Sequence, residues 1–182
     1  MGTNRTKPCI IQIDGKGETG EAMKKLKFIF KGARDGKALI ERGFSSMSVV
    51  RSSSRRTQPR LLFIESNEGQ RLMIGSEPID YAEREELGVL VFDTDAEGSR
   101  YERLLPLDKS FCGPNRLEKL IYRDEDVEAE SGLVIISSTG KQITIMAGDM
   151  PYSLAIKGPF EGKEYDFVPE LDFSAYTRVP CS

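Results

Sequence analysis

Four arginines fall in one polar stretch, Arg51-Ser-Ser-Ser-Arg55-Arg56-Thr-Gln-Pro-Arg60. Four cations this close can neutralise successive phosphates and would give a salt-dependent affinity. No aromatic residue lies between Met47 and Pro59, so single-stranded bases find no stacking platform there. Exposed Arg/Ser connectors are also common, and nucleic acid or phosphate is the alternative partner here, not the favoured one. A second candidate is Gly148-Asp149-Met150-Pro151-Tyr152, between two strand-like runs. Asp149 suits a turn and Pro151 blocks strand pairing. Such a loop presents Met150 and Tyr152 beside a sheet, where they line a pocket or an interface.

Three further patterns imitate known chemistry and are read as turns. Gly15-Lys16-Gly17-Glu18-Thr19-Gly20 spells G-x-G-x-x-G. In dinucleotide sites such glycines let the backbone approach pyrophosphate at a helix N-terminus. Here the next segment alternates like a strand, so a hairpin loop is expected. Gly32-Ala33-Arg34-Asp35-Gly36-Lys37-Ala38 is one residue short of a P-loop, and Ala38 replaces the magnesium-binding hydroxyl. Asp93-Thr94-Asp95-Ala96-Glu97-Gly98 starts like a calcium loop, but Leu104 stands where a bidentate Glu is needed.

The chain contains no His. Ser-His-Asp and Cys-His catalysis cannot be built without it, and neither can the commonest metal ligation. Cys9, Cys112 and Cys181 are far apart, which fits neither a zinc site nor a disulfide framework. No metal and no cofactor are expected. Carboxylate chemistry could draw on Asp93, Asp95, Glu102 or the acidic run at 124–130, but no pair stands out. Reduced thiols fit a cytoplasmic protein. No apolar stretch reaches membrane-spanning length, and the match of Met1-Gly2 and Thr6 to a myristoylation pattern is too short to carry an anchor.

The elements that must position these residues are mainly β. Runs at 133–137 and 142–146 flank a Gly-containing turn and predict a hairpin. Runs at 61–65 and 71–75 predict a second, and runs at 89–92 and 101–105 a third. Further strands are expected at 9–14, 26–31, 47–51, 153–157 and 165–168, while 36–44 is ambiguous. Two short helices are predicted. One spans about 78–87, with Pro78 in its first turn and Gly88 past its end. The other spans about 114–123, with Leu117, Leu120 and Ile121 at helical spacing. The acidic run at 124–130 reads as a solvated loop. The fold class is therefore mainly β: an antiparallel β-sandwich or barrel with about two short helices. A flexible tail at 1–8 precedes a single β-rich domain at 9–182.

Charge is uneven along the chain. Residues 1–60 hold 14 Lys/Arg against 5 Asp/Glu, and residues 61–182 hold 12 against 24. The two parts are expected to neutralise each other. Function is expected to be non-catalytic: a binding or assembly module. The alternatives are a phosphate- or nucleic-acid-binding module using the basic N-terminal third, and a small-molecule-binding barrel or carboxylate-based hydrolase. Strands apolar on both faces, as in Leu61-Leu62-Phe63-Ile64, need protein on each side and predict a symmetric homodimer.

Overall fold

The computed structural model describes residues 10–16, 22–28, 30, 33–51, 58–82, 85–95, 97, 102–160 and 167–181. Alternating residues open the chain as a hairpin, β1 (Ile10–Lys16) with β2 (Ala22–Phe28). A helix follows, α1 (Ala33–Arg42), in the segment whose periodicity was ambiguous. Leu39 and Ile40 are its buried face. Gly43 ends it at φ 105°, and a Cβ there would lie 2.4 Å from the Cys112 carbonyl. Only glycine fits this left-handed stop.

Next come β3 (Phe44–Arg51), β4 (Pro59–Ser66), β5 (Arg71–Ala82), β6 (Glu85–Asp93) and β7 (Glu102–Leu104). They form one sheet in the order β6-β5-β4-β3-β7. The larger sheet takes the first hairpin together with β8 (Arg116–Arg123), β9 (Val127–Ile136), β10 (Gln142–Ala147), β11 (Leu154–Lys157) and β12 (Tyr176–Pro180). β9 is its centre. One edge of β9 pairs antiparallel with β8, which carries β12 outside it. The other edge is shared: Val127–Ala129 pairs parallel with Leu26–Phe28 of β2, and 132–136 pairs antiparallel with β10, followed by β11.

The sheets stack as a sandwich. Met47, Val49, Leu62, Ile64, Leu72, Ile74 and Leu90 of the smaller sheet meet Leu117, Leu133, Ile135, Ile143, Ile145 and Ile156 of the larger. Phe44 and Phe111 stack at 5.9 Å and help close one end. Asn115 ties that end together: its Nδ2 donates to Ile40 O at 2.9 Å and to Phe111 O at 3.1 Å.

The fold class is as expected from the sequence, but several elements differ. Neither expected helix is found among the described residues. Pro78 lies inside β5, beyond the stretch that β4 pairs, so its missing N–H interrupts no ladder on that side. Gly88 is a strand glycine facing Ala147, where a Cβ would come within 2.4 Å of the alanine Cβ. The segment 114–123 is largely β8. Leu117 faces the inter-sheet core and Leu120 the outer face, so a strand apolar on both faces mimics helical spacing; the register shift between Leu120 and Ile121 leaves Ser131 of β9 as the extra residue. The third predicted hairpin is also corrected: β6 pairs with β5, and β7 pairs with β3. The acidic run is no loop beyond 126. Val127 and Ala129 are buried at the start of β9, and Glu130 is buried beside them. Glu130 accepts the Phe30 N–H at 2.8 Å and pairs with Lys119 Nζ at 2.6 Å. Residues 167–168 form no strand, and 165–166 lie outside the described residues.

Candidate binding groove

The outer face of the larger sheet, away from the core, carries the chemistry. Alternation along β10 turns Ile143 and Ile145 inward and Gln142, Thr144 and Met146 outward. Thr144 stands opposite Lys157 on one side and Val134 on the other, and Val134 stands opposite Glu118. The sheet register thus lines up Lys157, Thr144, Val134 and Glu118 across four strands.

Over this face runs the segment leading into β12. Phe167, Leu171 and Tyr176 cover Leu120, Val134, Ile136, Met146 and Ala155. Asp172 caps a short 3-10 turn, Phe173–Ala175, by accepting from Ser174 N at 2.9 Å. The Ser174 hydroxyl, which donates to Asp172 Oδ1 at 2.6 Å, and then this backbone bond hold the Asp172 carboxyl below its ordinary range. The turn sets Phe173 against Phe167, with ring centroids 6.3 Å apart and planes at 62°. Arg178 reaches from β12 toward the centre. Its guanidinium meets Glu118 Oε2 at 2.7 Å and Gln142 Oε1 at 3.3 Å.

Gln142, Thr144, Lys157, Gly158, Phe167, Phe173 and Arg178 enclose a groove of about 370 Å³. Lys157 Nζ lies 5.7 Å from the centre of the Phe167 ring. Thr144 is only 8% exposed. A positive charge, a hydroxyl and two aromatic walls therefore converge on one concavity. A second concavity, of about 460 Å³, lies at the β9–β10 turn, lined by Pro114, Asn115, Arg116, Ile136, Ser137, Ser138 and Gly140. Two of its polar groups, Asn115 Nδ2 and Ser137 Oγ, already serve the fold, while the buried Asn115 Oδ1 has no partner among the described residues. Asn115 Nδ2 holds two carbonyls, and Ser137 Oγ receives Lys141 N at 3.1 Å.

The sequence-predicted sites lie elsewhere. Arg51 ends β3, opposite Pro59, and Arg60 is exposed near the start of β4. Both belong to the smaller sheet. Arg55 and Arg56 lie outside the described residues. Met150 and Tyr152 are exposed in the loop between β10 and β11. Ser153 pins that loop, its Oγ donating to Met150 O at 2.7 Å and accepting Met150 N at 3.2 Å. Tyr152 adopts φ 61°, the left-handed region. Gln58, two residues before Arg60, donates to Asp149 Oδ1 at 2.6 Å. The structure thus brings the end of the basic connector against the Met150 loop, and neither lines the groove.

Sequence reasoning missed Lys157, Phe167, Phe173 and Arg178 because they come from three separate segments. The available signal was the outward-facing Thr144 in a strand already recognised. Among the described residues no three His, Cys, Asp or Glu side chains gather as metal ligands. The Asp93–Asp95 turn closes on itself, with Asp95 N donating to Asp93 Oδ1 at 2.8 Å. No helix among the described residues is long and apolar enough to cross a membrane. Comparison with family models, curated proteins and solved structures returns no match.

Proposed function

We propose that the protein is a non-catalytic binding module that takes a small anionic ligand in the groove on the outer face of its larger sheet. One observation carries this reading: Lys157 and Thr144, register partners on adjacent strands, face the same concavity as Phe167 and Phe173. The lining offers a cation, polar groups and apolar rings, but no carboxylate pair and no thiol. Such a set binds and orients rather than reacts.

The fluorescent probe 1-anilinonaphthalene-8-sulfonate tests it. Saturable enhancement is expected with the folded full chain, lost in Lys157→Glu and kept in Arg60→Glu. The opposite pattern would move the site to the basic connector and overturn the proposal.

A reducing, cytoplasmic setting belongs to the same reading and is supported by the exposed free thiol of Cys112. So does self-association as a symmetric dimer. Its support is that β7 and β12 each pair on one side only among the described residues, and that Leu104 on β7 is 69% exposed. Light scattering on the full chain decides it, and a single monomer mass at micromolar concentration removes it.

A further inference from the structure

The groove's charges are not equivalent, and the difference narrows the ligand. Arg178 is already committed. Its Nε and Nη2 both meet Glu118 Oε2 at 2.7 Å, and its Nη1 meets Gln142. Glu118 also draws Arg116 to 3.4 Å. Lys157, in contrast, has no carboxylate partner among the described residues, and its ammonium rests over the Phe167 ring. Among the described residues the groove therefore presents one positive charge without a carboxylate partner. Thr144 is only 8% exposed and lines the same groove, so it brings a hydroxyl to the lining. A hydroxyl beside an ammonium can donate to an acid group that the ammonium attracts.

The aromatic walls set the shape of the remainder. Phe167 and Phe173 meet edge to face at 62° and make a corner, not a parallel slot. Phe173 remains 42% exposed. A planar ring can lie on the face of one phenylalanine while meeting the edge of the other, the arrangement aromatic groups prefer. The volume, about 370 Å³, is near the lower end of small-molecule sites, which run from about 300 to 1,000 Å³. It suits one or two fused rings with an acid group, and it is too small for a dinucleotide. A polyphosphate or nucleic-acid backbone would also call for several free cations in series, which the described residues of this face do not supply.

Resting on the groove reading above, we infer that the ligand class is a planar aromatic monoanion. Its acid group sits between the Lys157 ammonium and the Thr144 hydroxyl, and its ring packs in the Phe167–Phe173 corner.

Amide-shift titrations of the isotope-labelled full chain test this with four probes: 2-naphthoate, cyclohexanecarboxylate, 2-naphthol and inorganic phosphate. We expect 2-naphthoate to shift the amides of Gln142, Thr144, Lys157, Gly158 and Phe173 to saturation. The other three should bind about tenfold more weakly or worse, since each lacks the ring or the charge. Lys157→Met and Phe173→Ala should each weaken 2-naphthoate by about tenfold, with the thermal midpoint retained. If phosphate or cyclohexanecarboxylate shifts the same amides as tightly as 2-naphthoate, the aromatic inference fails while the groove reading stands. If 2-naphthol matches 2-naphthoate, the charge assignment fails. If no probe shifts these amides, the groove reading itself fails and takes the inference with it.

Discussion

The two faces of β9 are built from neighbouring residues and do different work. Leu133 and Ile135 point inward and are closed in by a second sheet. Val134 and Ile136 point outward and meet Tyr176 and the segment before it, with Phe167 and Leu171 packed alongside. A sheet is a rigid lid whose strands are fixed by their own ladders. A short segment with one 3-10 turn is a cover that leaves gaps, and the groove is one of those gaps. Burial alone does not reveal the difference, because Val134 and Ile135 are both 0% exposed. What separates them is how far the opposing layer can relax.

The comparison is tested most severely by emptying each side. Ile135→Ala should cost about 3–4 kcal/mol in denaturant unfolding, since two sheets cannot collapse onto the cavity. A loss under about 1 kcal/mol would show that the inner face is not tightly packed. Val134→Ala should cost less, about 1–2 kcal/mol, because it removes fewer atoms and the covering segment can settle inward. If its cost equals that of Ile135→Ala, the outer cover is as stiff as a sheet.

A pH test probes the same cover. Burial pushes the Tyr176 hydroxyl well above its ordinary value of 10.0, and the Glu170 carboxylate adds to the shift. The unfolded chain therefore loses this proton first as pH rises. The stabilisation from Tyr176 is complete below about pH 10 and is lost above it. Urea midpoints measured between pH 9 and pH 11 should fall, and part of that fall should vanish in Tyr176→Phe. An unchanged slope in the variant would mean that the covering segment is already wet.

The smallest stability effect is expected at the rim. Phe173→Ala should change the unfolding free energy by no more than about 0.5 kcal/mol, because the ring is largely outside the packed layer. The same substitution should remove most anilinonaphthalene-sulfonate enhancement. A stability loss of several kcal/mol would make Phe173 part of the core and not of a binding wall.

What was legible in the sequence follows the range of the interactions. The hairpins β4–β5 and β9–β10 pair across turns of a few residues, and Gly69 and Gly140 adopt the positive φ of 80° and 83° that those turns require. Their signals are local. β8 was misread because Leu117 and Leu120 face opposite sides of the sheet and both are covered, so the strand shows no polar alternation. β5 and β6 were misread because Pro78 and Gly88 carry opposite meanings in a helix and in a sheet. Only the stretch of β5 that β4 leaves unpaired decides between them. β7 went to the wrong partner because pairing with β3 joins residues some fifty positions apart. The groove was illegible for the same reason. Lys157 and Arg178 share it only because β11 and β12 lie in one sheet with β10, β9 and β8 between them.

The shared edge of β9 has a consequence for how the molecule opens. The β1–β2 hairpin joins the larger sheet by a single three-residue parallel seam, Leu26–Phe28 against Val127–Ala129. Beyond it, the Phe30 N–H anchors to Glu130. Every contact in that seam spans about a hundred residues of chain, so its loop-closure entropy is met only once the rest has formed. The hairpin is therefore the last piece to dock and the first to leave. Under native conditions it should behave as its own cooperative unit, its amides exchanging with solvent hydrogen while those of β10 remain protected.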